Sequence, residues 1–148
     1  MLDLERELDS VLRALSERKI EYALCGGLAV GIHGYPRATI DIDLLVRAES
    51  EDAVYEAVAP LGFTFKANPM NFGDIRIRRV SKIDETDGEV LMLDLLLVTP
   101  AFEFVWDARE RHEWLGREIV VVSRKGLIAL KRGRSSTQDL ADIEKLES

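Results

Sequence analysis

The chain has 148 residues, 47% of them hydrophobic and 32% charged, an ordinary balance for a globular protein that is read here as one domain over residues 1–148. Its net charge of −7 excludes a protein that coats nucleic acid non-specifically, although Arg76, Arg78, Arg79 and Arg124, Lys125, Lys131, Arg132, Arg134 form two local basic clusters. One cysteine, Cys25, excludes an internal disulfide, and with His33 and His112 as the only histidines a Cys/His zinc site is not expected.

Any metal is therefore expected on oxygen ligands, which points to magnesium or manganese. The apolar runs are too short to cross a membrane, and charges near Met1 stand where a signal peptide needs an apolar stretch. The expected location is the cytoplasm.

In chain order, Leu4, Leu8, Val11, Leu12 and Leu15 recur near the helical period, predicting an amphipathic helix over 2–18. A short apolar strand over 20–25 ends at Gly26-Gly27, and 28–33 reads as a short helix closed by Gly34 and Pro36. Residues 39–46 alternate as a strand, with Ile40, Ile42 and Leu44 on one face and Asp41 and Asp43 on the other. A second helix is predicted over 49–61, a weak strand over 62–66 and a better one over 74–80. Asp87-Gly88 signals a hairpin, followed by an almost wholly apolar strand over 90–98 of the kind found at a sheet centre. Beyond Pro100 the pattern supports a strand over 118–122, a helix over 124–131 and a last helix to Leu146, capped by Ser135 or Ser136 with Gln138 in capping-box position to Ser135. The fold class is α/β (α+β), a mixed β-sheet flanked by helices.

Three carboxylates sit where a core is expected. Asp41 and Asp43 lie about 7 Å apart along one strand face, where each raises the other's pKa unless a cation intervenes. Asp94 interrupts Leu91, Met92, Leu93 and Leu95, Leu96, Leu97, and a lone carboxylate there costs several kcal/mol unless it is paired or coordinated. Two readings remain open for the residues alone. The pair faces water from an edge strand and Asp94 pairs with an arginine such as Arg76 or Arg78; or the three acids share a patch holding one or two Mg²⁺ ions, as phosphoryl or nucleotidyl transfer requires.

Gly26-Gly27 follows a strand and opens a helix, a place where backbone N–H groups meet an anion without Cβ obstruction. Cys25-Gly26-Gly27, thirteen residues and Asp41-Ile42-Asp43-Leu44 together resemble the signature of the polymerase-beta-like nucleotidyltransferase superfamily, with Asp94 fitting its third acid. Residues 26–43 resemble more narrowly the small bacterial nucleotidyltransferases related to AbiEii toxins. The tail from Leu127 to Lys131, with Arg134 and Asp139 to Ile143, resembles the end of that domain.

The resemblance implies a nucleotidyltransferase-like fold and Mg²⁺-dependent transfer of a nucleoside monophosphate from an NTP, with release of pyrophosphate. Under it Asp41 and Asp43 are metal ligands, and Asp94 is the third ligand or the base. Gly26 and Gly27 cradle the β and γ phosphates, while Arg37 and Lys131 are candidate phosphate contacts. Compatible acceptors are RNA, protein or a small molecule such as an aminoglycoside. The lack of an evident second domain to grip a sugar tilts the expectation toward RNA or protein, in a toxin paired with a cognate antitoxin. The rival expectation is a non-catalytic relative, a nucleotide- or partner-binding module that kept the fold.

Overall fold

A computed structural model describes residues 1–36 and 39–148. Helix α1 (Leu4–Glu17) starts at Asp3, whose side chain accepts from the backbone N–H groups of Glu5 and Arg6, and it buries the stripe Leu8, Val11, Leu12 and Leu15. Strand β1 (Ala23–Cys25) leads directly into α2 (Gly26–Ile32), so the glycine pair is the first turn of the helix rather than a loop before it. Then follow β2 (Asp41–Val46) and α3 (Glu51–Val58), the latter flanked by single 3-10 turns that complete the predicted 49–61 segment.

Two short strands, β3 (Phe65–Lys66) and β4 (Met70–Phe72), precede β5 (Ile75–Ile83) and β6 (Val90–Leu97). The rest comprises α4 (Glu103–Asp107), the hairpin β7 (Glu110–Trp114) and β8 (Arg117–Val121), α5 (Arg124–Arg134) and α6 (Thr137–Glu147). The last helix is capped by Ser136, not Ser135, and Asp139 closes the capping box in place of Gln138. Ser135 is instead the left-handed residue that ends α5, at φ 54°, so the cap must fall one residue later.

The strands form one mixed eight-stranded sheet in the order β3-β5-β6-β2-β1-β8-β7, with β4 also paired to β5. β2 runs parallel to β6 and antiparallel to β1, which places it in the interior of the sheet and rules out the edge position. Its apolar side chains Ile42 and Leu44 share a face with Leu93 and Leu95, all fully buried. Helices α1 and α3 cover that face, anchored at its rim by Lys82 to Glu7 (2.7 Å) and Arg78 to Glu51 (3.8 Å). Helix α5 lies on the opposite face, so close that a Cβ on Gly133 would meet Ile75 at 3.0 Å. No helix of the described residues is long and apolar enough to cross a membrane.

Candidate active site

The register across the sheet aligns four side chains in one row. Arg79 of β5 faces Asp94 of β6, Asp94 faces Asp43 of β2, and Asp43 faces Cys25 of β1. Directly paired residues on adjacent strands point to the same side, roughly 4.8 Å apart. Asp41, two residues before Asp43, adds a third carboxylate on that face, where it is half-buried. The three acids singled out by their apolar surroundings therefore do come together.

The row is buried and its charge is only partly balanced. Asp94 is 1% exposed, and both its oxygens accept from Arg79, from Nε at 2.7 Å and Nη2 at 2.9 Å. The partner is Arg79 rather than Arg76 or Arg78 because side chains alternate along β5. Arg78 points to α3, and the Arg76 guanidinium turns to the Gly73 carbonyl. Asp43 is pushed up to about 7, first by burial and then by Asp94 and Asp41, against the lowering pull of Arg134 and Lys131. Burial, then the neighbouring Asp43, likewise pushes the Cys25 thiol well up, which keeps it neutral and unreactive.

Gly26 is required at its position on two counts. Its φ is +66°, and a Cβ there would fall 2.1 Å from Asp43 Oδ2. The backbone thus touches the carboxylate that β2 presents. Gly27, Thr39, Ile40, Asp41, Asp43, Arg134 and Gln138 line a groove of ≈ 300 Å³ over the row. That is the low end of the volume taken by small-molecule sites.

The far wall of the groove is built by α5 and α6. Lys131 is 4% exposed and binds Asp142 at 2.9 Å and Asp139 at 3.4 Å. Asp139 also receives both Arg134 Nε at 2.9 Å and Arg134 Nη2 at 3.0 Å. Asp139 and Asp142 are thus the buried counter-ions of this cluster. Arg134 keeps a third of its side chain exposed toward the groove. Arg37 lies outside the described residues. His33 ends α2, as expected for a helix-terminal residue.

Arg79, Arg134 and Gln138 were not singled out as site residues by the sequence. A two-residue turn at Asp87-Gly88 would set Asp94 opposite Ser81. The observed connection runs over residues 84–89 between paired Ile83 and Val90, which shifts the register by two and brings Arg79 into the row. The signal that could have found it is parity, since Arg76 and Arg78 share a face and Arg79 takes the other.

A family model described as aminoglycoside-2''-adenylyltransferase matches residues 7–146. No curated protein matches the sequence. Among solved structures, the lincosamide antibiotic adenylyltransferase LnuA with lincomycin bound is 19% identical, at TM-score 0.64 over 97% of this chain and 96% of that one. The solution structure of the antibiotic-resistance factor ANT(2'')-Ia is 16% identical, at TM-score 0.66 over 98% and 84%. Its crystal structure in complex with adenylyl-2''-tobramycin gives 17% and 0.60 over 94% and 84%. At such identities the structural likeness speaks to the fold.

Proposed function

Because this chain belongs to the aminoglycoside-2''-adenylyltransferase family, we propose that it acts as a single domain moving a nucleoside monophosphate, AMP first, from an NTP to a hydroxyl of a small cationic antibiotic. The observation that carries the reading is the row in which Asp94 faces Asp43 beside Asp41, under a groove walled by Arg134. Carboxylate oxygens alone make up this donor set, which suits a hard divalent cation, and Asp43, raised first by burial and then by Asp94 and Asp41, is a carboxylate whose charge such a cation would stabilise. Asp41 and Asp43 are the residues that would hold Mg²⁺ or Mn²⁺. When bound, the metal supplies charge neutralisation on the triphosphate and a lowered pKa at the attacking hydroxyl.

The chain's own groups orient the rest. Asp94, held in place by Arg79, serves as third ligand or accepts the hydroxyl proton. Gly26 and Gly27 leave the backbone bare where the β and γ phosphates are placed in this reading. Arg134 reaches the departing pyrophosphate from the far wall, while Lys131 stands behind it and shares its counter-ion Asp139. Arg37 follows α2 in sequence and remains a candidate phosphate contact.

The acceptor assignment departs from the RNA or protein expected from sequence. The matched family and the antibiotic-modifying neighbours favour a small-molecule hydroxyl. A net charge of −7 also attracts a polycation and repels RNA. The AbiEii-like toxin and its antitoxin gain no support from these matches. Use of an NTP donor supports a cytoplasmic location in this reading.

Pyrophosphate release would be measured with each NTP, Mg²⁺ and a panel of aminoglycosides and lincosamides, for wild type and Asp43→Asn. Release that requires a drug, and stops in the variant, is expected. Release with RNA but with no drug would overturn the acceptor. No NTP binding by folded protein would leave the non-catalytic relative.

A further inference from the structure

Outside the carboxylate row, His33, Glu110 and His112 bring one donor atom each to within 4.8 Å of one another. They come from distant parts of the chain. His33 ends α2, whereas Glu110 and His112 stand two apart, and so on one face, of β7 at the sheet's edge. The imidazoles meet edge to face with centroids 5.3 Å apart, and His112 Nε2 lies 3.1 Å from Glu110 Oε1. Adjacent ligand atoms of a tetrahedral zinc site with bonds of about 2.0–2.1 Å are separated by roughly 3.3 Å. The Glu110–His112 pair already spans one such edge.

The orientation of His33 is an independent observation. Its Nε2 is 2.8 Å from the Val122 carbonyl oxygen. A carbonyl only accepts, so Nε2 carries the hydrogen and the ring's lone pair is left on Nδ1. Metal-ligating histidines are held in this way, with the remote N–H on a backbone carbonyl that fixes tautomer and ring plane. Val122 is itself fixed by the sheet, its N–H donating to the Leu24 carbonyl at 2.9 Å.

We propose that His33, Glu110 and His112 form a binding site for a borderline transition-metal ion, zinc first, with water completing the coordination. Two imidazoles and one carboxylate suit zinc, whereas the all-carboxylate row suits magnesium. On binding, His112 moves its ring hydrogen to Nδ1 and turns the Nε2 lone pair to the ion, and Glu110 exchanges its hydrogen bond for a metal bond. The ion then clips the end of α2 to β7. The seven residues of α2 span about 10 Å, and the other end of the helix is Gly26 against Asp43. Zinc would thus fix the helix that sets the glycine pair. One cysteine and two histidines do not by themselves make a zinc set; Glu110 on β7 supplies the missing carboxylate.

The test is a Zn²⁺ titration against a chromophoric chelator, with Co²⁺ absorption reporting tetrahedral geometry, on the full chain checked for folding by circular dichroism. The expected result is one zinc per chain, retained in the Asp41→Ala/Asp43→Ala variant and weakened about 100-fold or more in His112→Ala. Glu110→Ala decides the matter if His112→Ala does not fold. Zinc binding unchanged by loss of the β7 ligand, lost with the aspartate pair, or absent in folded wild type at micromolar zinc would overturn the proposal.

Discussion

Arg79 and Asp94 face each other across the β5–β6 hairpin, and the guanidinium takes both carboxylate oxygens while Asp94 stays 1% exposed. Asp94 can therefore sit at the centre of the sheet without a metal. Removing Arg79 leaves an uncompensated buried charge. Arg79→Ala should destabilise the metal-free protein by about 3 kcal/mol, the low end for a broken buried pair because Arg79 itself is 31% exposed. Urea unfolding measures this, and Mg²⁺ should recover part of the loss if Asp94 belongs to the metal set.

Asp43 makes stability fall as pH rises. Its folded value of about 7 lies above the ordinary 3.8, so between these values the folded chain keeps a proton that the unfolded chain has released. Stability contributed by the protonated form is complete below pH 4 and is lost by pH 7, up to roughly 4 kcal/mol at about 1.4 kcal/mol per unit. Asp43→Asn should flatten this limb and stabilise the metal-free protein at pH 7.5. Unfolding curves at several pH values, with and without Mg²⁺, check it. An unchanged slope in the variant would refute the assignment.

Asp139 acts in the opposite direction. Burial alone would raise it, but Arg134 and Ser136 hold it down to about 2. Its contribution is present above pH 4 and disappears as pH falls through 2. Acid unfolding should therefore begin at higher pH in Arg134→Met, where that hold is gone. Monitoring the far-ultraviolet dichroism of both proteins from pH 5 to pH 2, as roughly brackets this window, tests the sign.

Gly26→Ala places a methyl 2.1 Å from Asp43 Oδ2 at a φ of +66°. The left-handed backbone alone costs about 1–2 kcal/mol for an L residue, and the displaced carboxylate adds to it. The variant should lose both stability and NTP-dependent activity. Gly116→Ala, equally left-handed but with nothing within 4 Å, should lose only the backbone part. Activity retained in Gly26→Ala would show that Asp43 need not stand where it does.

Local pattern carried much of this protein into view. Two-residue alternation put Asp41 and Asp43 on one face of β2, opposite to Ile42 and Leu44, and the apolar run around Asp94 announced an interior strand. These features were legible because they depend on neighbours along the chain. The strands β4 and β7 and the helix α4 were not, since they are short and their residues are mixed or exposed.

What the sequence determined by itself is which residues are chemically out of place: acids in apolar strands, and glycines at a strand-to-helix junction. Only the tertiary structure decided their partners. The hairpin loop chose Arg79 over Ser81 for Asp94. The packing of α5 on α6 enclosed Lys131 between Asp139 and Asp142 and left Arg134 at the groove. The seating of α2 beside β7 joined His33 to His112. The physical reason is the same in each case: burial makes a charge or a lone pair seek a partner, but register and packing, set by the whole core, determine which partner is within reach.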